Sequence, residues 1–120
     1  MAAGGALPYG FDDDEHTRGL LRPRPPADAL AWVESVLGGP VVAVRVLRGG
    51  MSSAMHLVAV ATGERAVLRR YVRFDPTEPD IAPREARALE FVARLPLPTP
   101  ELLAADVTGT ATGVPMLLMS

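Results

Sequence analysis

No cysteine occurs in the 120 residues, and lysine, asparagine and glutamine are also missing. Without cysteine there is no disulfide framework, no thiolate metal site and no thiol nucleophile. All 12 basic residues are arginine. Any role that ordinarily falls to a lysine therefore falls to an arginine, and no role can use a side-chain amide. Aromatic residues are 5% of the chain, so the core is aliphatic. A basic excess is absent too: 12 basic against 14 acidic residues give a net charge of −2. That argues against a dedicated nucleic-acid binder. No apolar run approaches the ~18 residues of a membrane span. The first residues carry neither the basic segment nor the apolar stretch of an export signal. The expectation is a cytoplasmic protein with neither nucleic acid nor a membrane as partner.

What remains is the composition of one small soluble domain, 48% hydrophobic and 22% charged. Glycine and proline concentrate at the start, at Gly4, Gly5, Pro8, Gly10, Gly19, Pro23, Pro25 and Pro26. With no sustained period, residues 1–26 read as a disordered or loosely docked tail. The tail holds Asp12-Asp13-Asp14-Glu15 followed by His16. Carboxylates suit Mg²⁺ or Ca²⁺, but on a segment without periodicity the cluster reads as a solvated charge run.

From Ala27 the chain reads as helix, three strands, helix, two strands. Leu30, Val33 and Leu37 share a helical face, with Ala27 one turn before, and Gly38-Gly39 ends that helix near Leu37. Val41–Leu47, Ala54–Ala61 and Arg65–Val72 read as an antiparallel meander broken by Arg48-Gly49-Gly50 and Thr62-Gly63-Glu64. Arg84–Arg94 reads as a second helix, with Pro83 near its first position. An extended connector, Leu97-Pro98-Thr99-Pro100, leads to strands over Glu101–Asp106 and Val114–Met119. The last strand is apolar almost to Ser120. A domain end is ordinarily polar, so the expectation is that something should follow: a truncated gene product, or a lobe that expects a missing or separate second lobe as its partner.

Three features carry chemistry. Gly49-Gly50-Met51-Ser52-Ser53 lies between two strands, where glycines allow close backbone approach and successive amides suit phosphate oxygens. It is not a P-loop, since neither Gly-Lys-Ser nor Gly-Lys-Thr follows; a plain hairpin turn is the simpler alternative. In the third strand, period two puts Val67, Arg69 and Tyr71 on one face and Ala66, Leu68, Arg70 and Val72 on the other. One of the two arginines therefore faces inward or into a cleft, unless both extend from a half-exposed sheet. On the second helix, Ala82, Glu85, Leu89 and Val92 form one stripe. An acid amid apolar neighbours needs a partner, and a strand arginine is the obvious one.

In this order the features resemble the protein-kinase-like fold, whose signature is a Gly-rich loop, a strand lysine and a helix glutamate paired to it. The closer resemblance is to the aminoglycoside phosphotransferase family, in its broad sense of choline-kinase-like small-molecule kinases. The matching pieces are Leu47-Arg48-Gly49-Gly50-Met51-Ser52-Ser53, Val67-Leu68-Arg69, Arg84-Glu85-Ala86-Arg87-Ala88-Leu89, Leu97-Pro98-Thr99-Pro100 and Val114-Pro115-Met116-Leu117-Leu118-Met119. The match covers roughly residues 27–120.

The resemblance implies an α+β fold: a kinase-like amino-terminal lobe, truncated at the hinge. It would have about five antiparallel strands, one helix before the sheet and one packed across it. It implies ATP and Mg²⁺ as cofactors, with Gly49, Gly50, Ser52 and Ser53 over the phosphates. Arg69 would stand in for the strand lysine, touching the α/β-phosphates and pairing with Glu85. Val67 would line the adenine pocket, Met119 would be the gatekeeper and Ser120 would begin the hinge. Ser53 departs from the asparagine often found there.

The family's His-Gly-Asp loop, its following asparagine and its Mg²⁺-binding aspartate have no counterpart here, since neither His16 nor His56 precedes Gly-Asp. No catalytic residue and no metal ligand is therefore expected within this chain, and no turnover by the chain alone. The expected function is the ATP-covering lobe of a small-molecule phosphotransferase. The alternative is a non-catalytic interaction module, its apolar last strand adding to a partner's sheet, or a non-functional remnant of such a kinase.

Overall fold

The structure, a computed structural model, describes residues 24–47, 53–72, 80–96, 98 and 100–120. Among the described residues, two helices and one five-stranded antiparallel sheet form an α+β fold: α1 (Ala27–Leu37), β1 (Val41–Leu47), β2 (Ala54–Val60), β3 (Arg65–Arg70), α2 (Ile81–Val92), β4 (Leu102–Asp106) and β5 (Met116–Met119). The spatial order is β1-β2-β3-β5-β4, so the last strand in sequence is inserted between the third and the fourth. Residues 1–23, with the acidic cluster and His16, lie outside the described residues. Of the expected tail, Pro25 is buried against the fold, and the Pro26 carbonyl accepts the Leu30 amide as α1 begins.

α1 has the expected limits. Gly38 adopts a left-handed conformation (φ 81°) and its N–H returns to the Glu34 carbonyl, a backbone state glycine reaches without strain. Glu34 also accepts the Val41 amide at 2.7 Å, tying the helix end to the first strand. The buried face is rotated from the expected one. Ala29 and Val33 are fully buried, Leu30 and Leu37 are half-buried, and Ala27 is exposed. A small residue at 29 lets the helix sit close to the sheet.

The meander forms as expected, with β1 on β2 and β2 on β3. Along β2 buried and half-buried residues alternate strictly, the period of a pleated strand. Leu68 and Val58 join Ala29, Val33, Met116 and Leu118 in a core under α1. The opposite face carries a second core, in which Leu117, Met119 and Tyr71 meet Ala82 and Ala86 of α2. The sheet is thus a layer between two helices.

This corrects the reading of the last strand. Met116–Met119 is apolar because both of its faces are covered within this chain: Met116 and Leu118 by the α1 core, Leu117 and Met119 by the α2 core. Buried strands read as continuous apolar runs. Both edges of β5 are also paired, to β3 and to β4, so it offers no edge for strand addition. The outer strands of the sheet are β1 and β4.

α2 begins three residues earlier than expected, at Ile81. Pro83 is its third residue, where the missing N–H would lack an intrahelical acceptor anyway. At the far end the Arg94 and Leu95 amides bond to Phe91 and Val92 in a tighter turn, which explains the two extra residues in the expectation. The buried positions are Ala82 and Ala86, with Leu89 half-buried against them. Of the connector, Pro98 and Pro100 are described, and both are exposed.

Candidate functional site

The site lies on the α2 face of the sheet. Strand alternation sends Arg69 to this face with Val67 and Tyr71, while Leu68 turns to the α1 core. Arg69 Nη1 donates to Glu85 Oε2 at 2.5 Å, joining β3 to α2. Arg69 Nε donates to Ser53 Oγ at 2.7 Å. The Tyr71 hydroxyl donates to the same Glu85 Oε2 at 2.5 Å. The Arg69 guanidinium carbon also stands 5.3 Å from the centre of the Tyr71 ring, within cation–π range. Four side chains, from the residue before β2, from β3, from the residue after β3 and from α2, thus form one network.

The network is half open. The side chains of Arg69 and Glu85 keep 25% and 30% of their surface, whereas Ser53 keeps 1%. Burial and the hydrogen bond to Glu85 push the Tyr71 hydroxyl well above its ordinary value of 10.0, against the pull of the Arg69 charge. Tyr71 is therefore a neutral donor throughout the physiological range.

Among the expected site residues, Gly49, Gly50 and Ser52 lie outside the described residues. The other five come together. Ser53, Arg69 and Glu85 are linked by hydrogen bonds. Val67 and Met119 are cross-strand partners on the same face, and Arg69 pairs with Leu117 two places along. Ser53 is turned inward as an acceptor for Arg69. Ser120 exchanges hydrogen bonds with Glu101, its amide to that carbonyl and its hydroxyl accepting that amide.

Tyr71 is the member that sequence reasoning left out. The available signal was its place two residues after Arg69, hence on the same face. Arg70 takes the other face. There burial lowers its pKa, an attraction to Asp28 opposes that, and its Nε has no hydrogen-bond partner among the described residues. Among the described residues no three His, Asp or Glu side chains gather as metal ligands, and no helix is long and apolar enough to cross a membrane. No family model, curated protein or solved structure matches the chain.

Proposed function

We propose that this chain is a kinase-like amino-terminal lobe that covers ATP in a small-molecule phosphotransferase, passing a phosphoryl group to a hydroxyl of a metabolite or antibiotic. One observation carries the reading: a guanidinium on the third strand meets a carboxylate on the helix that follows it. A strand cation held by a helix glutamate is how kinases position nucleotide phosphates. Here the cation is arginine, which remains charged at any working pH and can grip phosphate oxygens through two N–H groups.

In this role Arg69 neutralises and orients the phosphates, and Glu85 orients Arg69. Half-buried Val67 supplies apolar surface beside it for the base, backed by Met119 within the α2 core. Bound Mg²⁺ would neutralise phosphate charge in the transfer, with its ligands and the catalytic base supplied by a second lobe. Phosphoryl transfer requires those parts, so the chain alone binds ATP without turning it over.

Calorimetric titration of MgATP into the 120-residue chain tests the reading. Trp32 is a poor reporter because it packs in the α1 core, across the sheet from Arg69. The expected result is saturable binding that Arg69→Ala abolishes while far-UV circular dichroism is unchanged. No binding, or binding indifferent to Arg69→Ala, overturns it. Phosphoryl transfer by the chain alone would overturn the assignment of catalysis to a second lobe.

A further inference from the structure

We infer that Ser53 and Tyr71 are positioning residues that fix Arg69 as a one-sided fork for an anion of the phosphate class. The inference rests on the nucleotide-covering reading and identifies what makes an arginine fit the position.

A guanidinium is planar, with five N–H donors. Nε is committed to Ser53 and one Nη1 donor to Glu85. The Tyr71 ring stands against the group at 5.3 Å. Two hydrogen bonds from different nitrogens to acceptors on different elements set both the plane and the rotation of the group. Among the described residues nothing engages Nη2. The donors left over are therefore the two of Nη2 and one of Nη1, enough to engage two oxygens of one phosphate.

Tyr71 has a second effect. Its hydroxyl donates to the very oxygen that receives Arg69. The carboxylate charge is shared between two donors, so the guanidinium is only partly neutralised and keeps attraction for an incoming anion. The carboxylate is also held by the tyrosine if Arg69 shifts toward a ligand. Ser53 is the last residue of the expected phosphate-facing stretch, and its bond to Arg69 ties the residue before β2 to the ion pair. A lysine carries its donors on one nitrogen and cannot serve Ser53 and Glu85 from separate, fixed positions.

The test uses the full 120-residue chain with two probes, inorganic tripolyphosphate and adenosine, each titrated by calorimetry. Nitrogen-15 NMR follows the Arg69 Nε–H. Expected are a slowly exchanging Nε–H that becomes fast in Ser53→Ala, and tripolyphosphate binding weakened roughly tenfold by Ser53→Ala and by Tyr71→Phe. Arg69→Lys should fare no better than Arg69→Ala. Adenosine affinity should be unchanged in Ser53→Ala and Tyr71→Phe, a split that general loosening of the fold would not produce. Should Ser53→Ala fail to fold, Tyr71→Phe and the wild-type exchange rate decide. Tripolyphosphate binding that needs Arg69 but is indifferent to Ser53 and Tyr71 overturns this inference and leaves the nucleotide reading standing. An Nε–H in the wild type that exchanges as fast as those of exposed arginines also overturns it. Wild-type chain that binds neither ATP nor tripolyphosphate overturns both.

Discussion

Arg69 and Arg70 are adjacent in β3, yet they lie on opposite faces of the sheet and in opposite electrostatic circumstances. Arg69 is hydrogen-bonded to Ser53 and Glu85. Arg70 is partly stripped of water; among the described residues its Nε is without a hydrogen-bond partner, and its charge is favoured by Asp28. One dipeptide therefore holds an organised cation and a costly one.

Replacing the costly one should be harmless or helpful. Arg70→Met keeps the long stem and removes the desolvated charge, an exchange that is often neutral or stabilising. Urea denaturation should show stability unchanged or higher, with ATP binding unaffected. A loss of more than about 2 kcal/mol would mean that Arg70 is a structural ion-pair partner of Asp28.

Glu85→Gln should separate function from stability. The Arg69–Glu85 pair is a quarter to a third exposed, so its net worth to the fold is expected at no more than about 1 kcal/mol. Losing the charge that orients the guanidinium should cost roughly tenfold in ATP affinity. Urea denaturation and calorimetry measure the two effects side by side. Equal ATP affinity in wild type and variant would remove Glu85 from the site.

Tyr71 gives a pH signature. The unfolded hydroxyl ionises near its ordinary value of 10.0, while the folded one is raised above it. Above pH 10 the unfolded state thus holds fewer protons than the folded state, and stability falls as pH rises. Its contribution is complete below pH 10 and is lost progressively above it. Thermal melts between pH 9 and 11 should decline for wild type and decline less for Tyr71→Phe. Parallel curves would place the Tyr71 hydroxyl in water.

Two glycines with positive φ should respond differently to alanine. Gly63 (φ 96°) has open space where a Cβ would go, so only the backbone cost of about 1 kcal/mol applies. At Gly109 (φ 74°) the Cβ would stand 3.0 Å from the Val114 backbone, which no side-chain rotation relieves. Gly109→Ala should be the more destabilising of the two by chemical denaturation. The reverse order would show that the loop after β4 yields easily.

Much of the fold is legible in sequence because its signals are local. Gly38 and Gly63 mark turns by the φ they must adopt, and alternation in β2 and β3 marks strands. Glu85 and a strand arginine were legible together as charges in otherwise apolar stripes, but alternation alone does not choose Arg69 over Arg70, and the family resemblance did. The start of α2 was obscured by Pro83, which is tolerated throughout a first turn. The buried face of α1 turns on Ala29, and an alanine advertises itself poorly as core. Tyr71 reads as one more apolar position, because its role depends on where its hydroxyl ends. The apolarity of β5 was ambiguous for a deeper reason. A local pattern states that a strand is covered on both faces, but not by which segments.

The insertion of β5 between β3 and β4 has a consequence for biosynthesis. Until Met116–Met119 leaves the ribosome, β3 waits with one row of amides and carbonyls lacking a strand partner. At ordinary rates of about 5–20 residues per second, that interval lasts a matter of seconds. Cotranslational pairing can therefore advance as far as the meander, with the second edge of β3 open to pairing with other chains until β5 arrives.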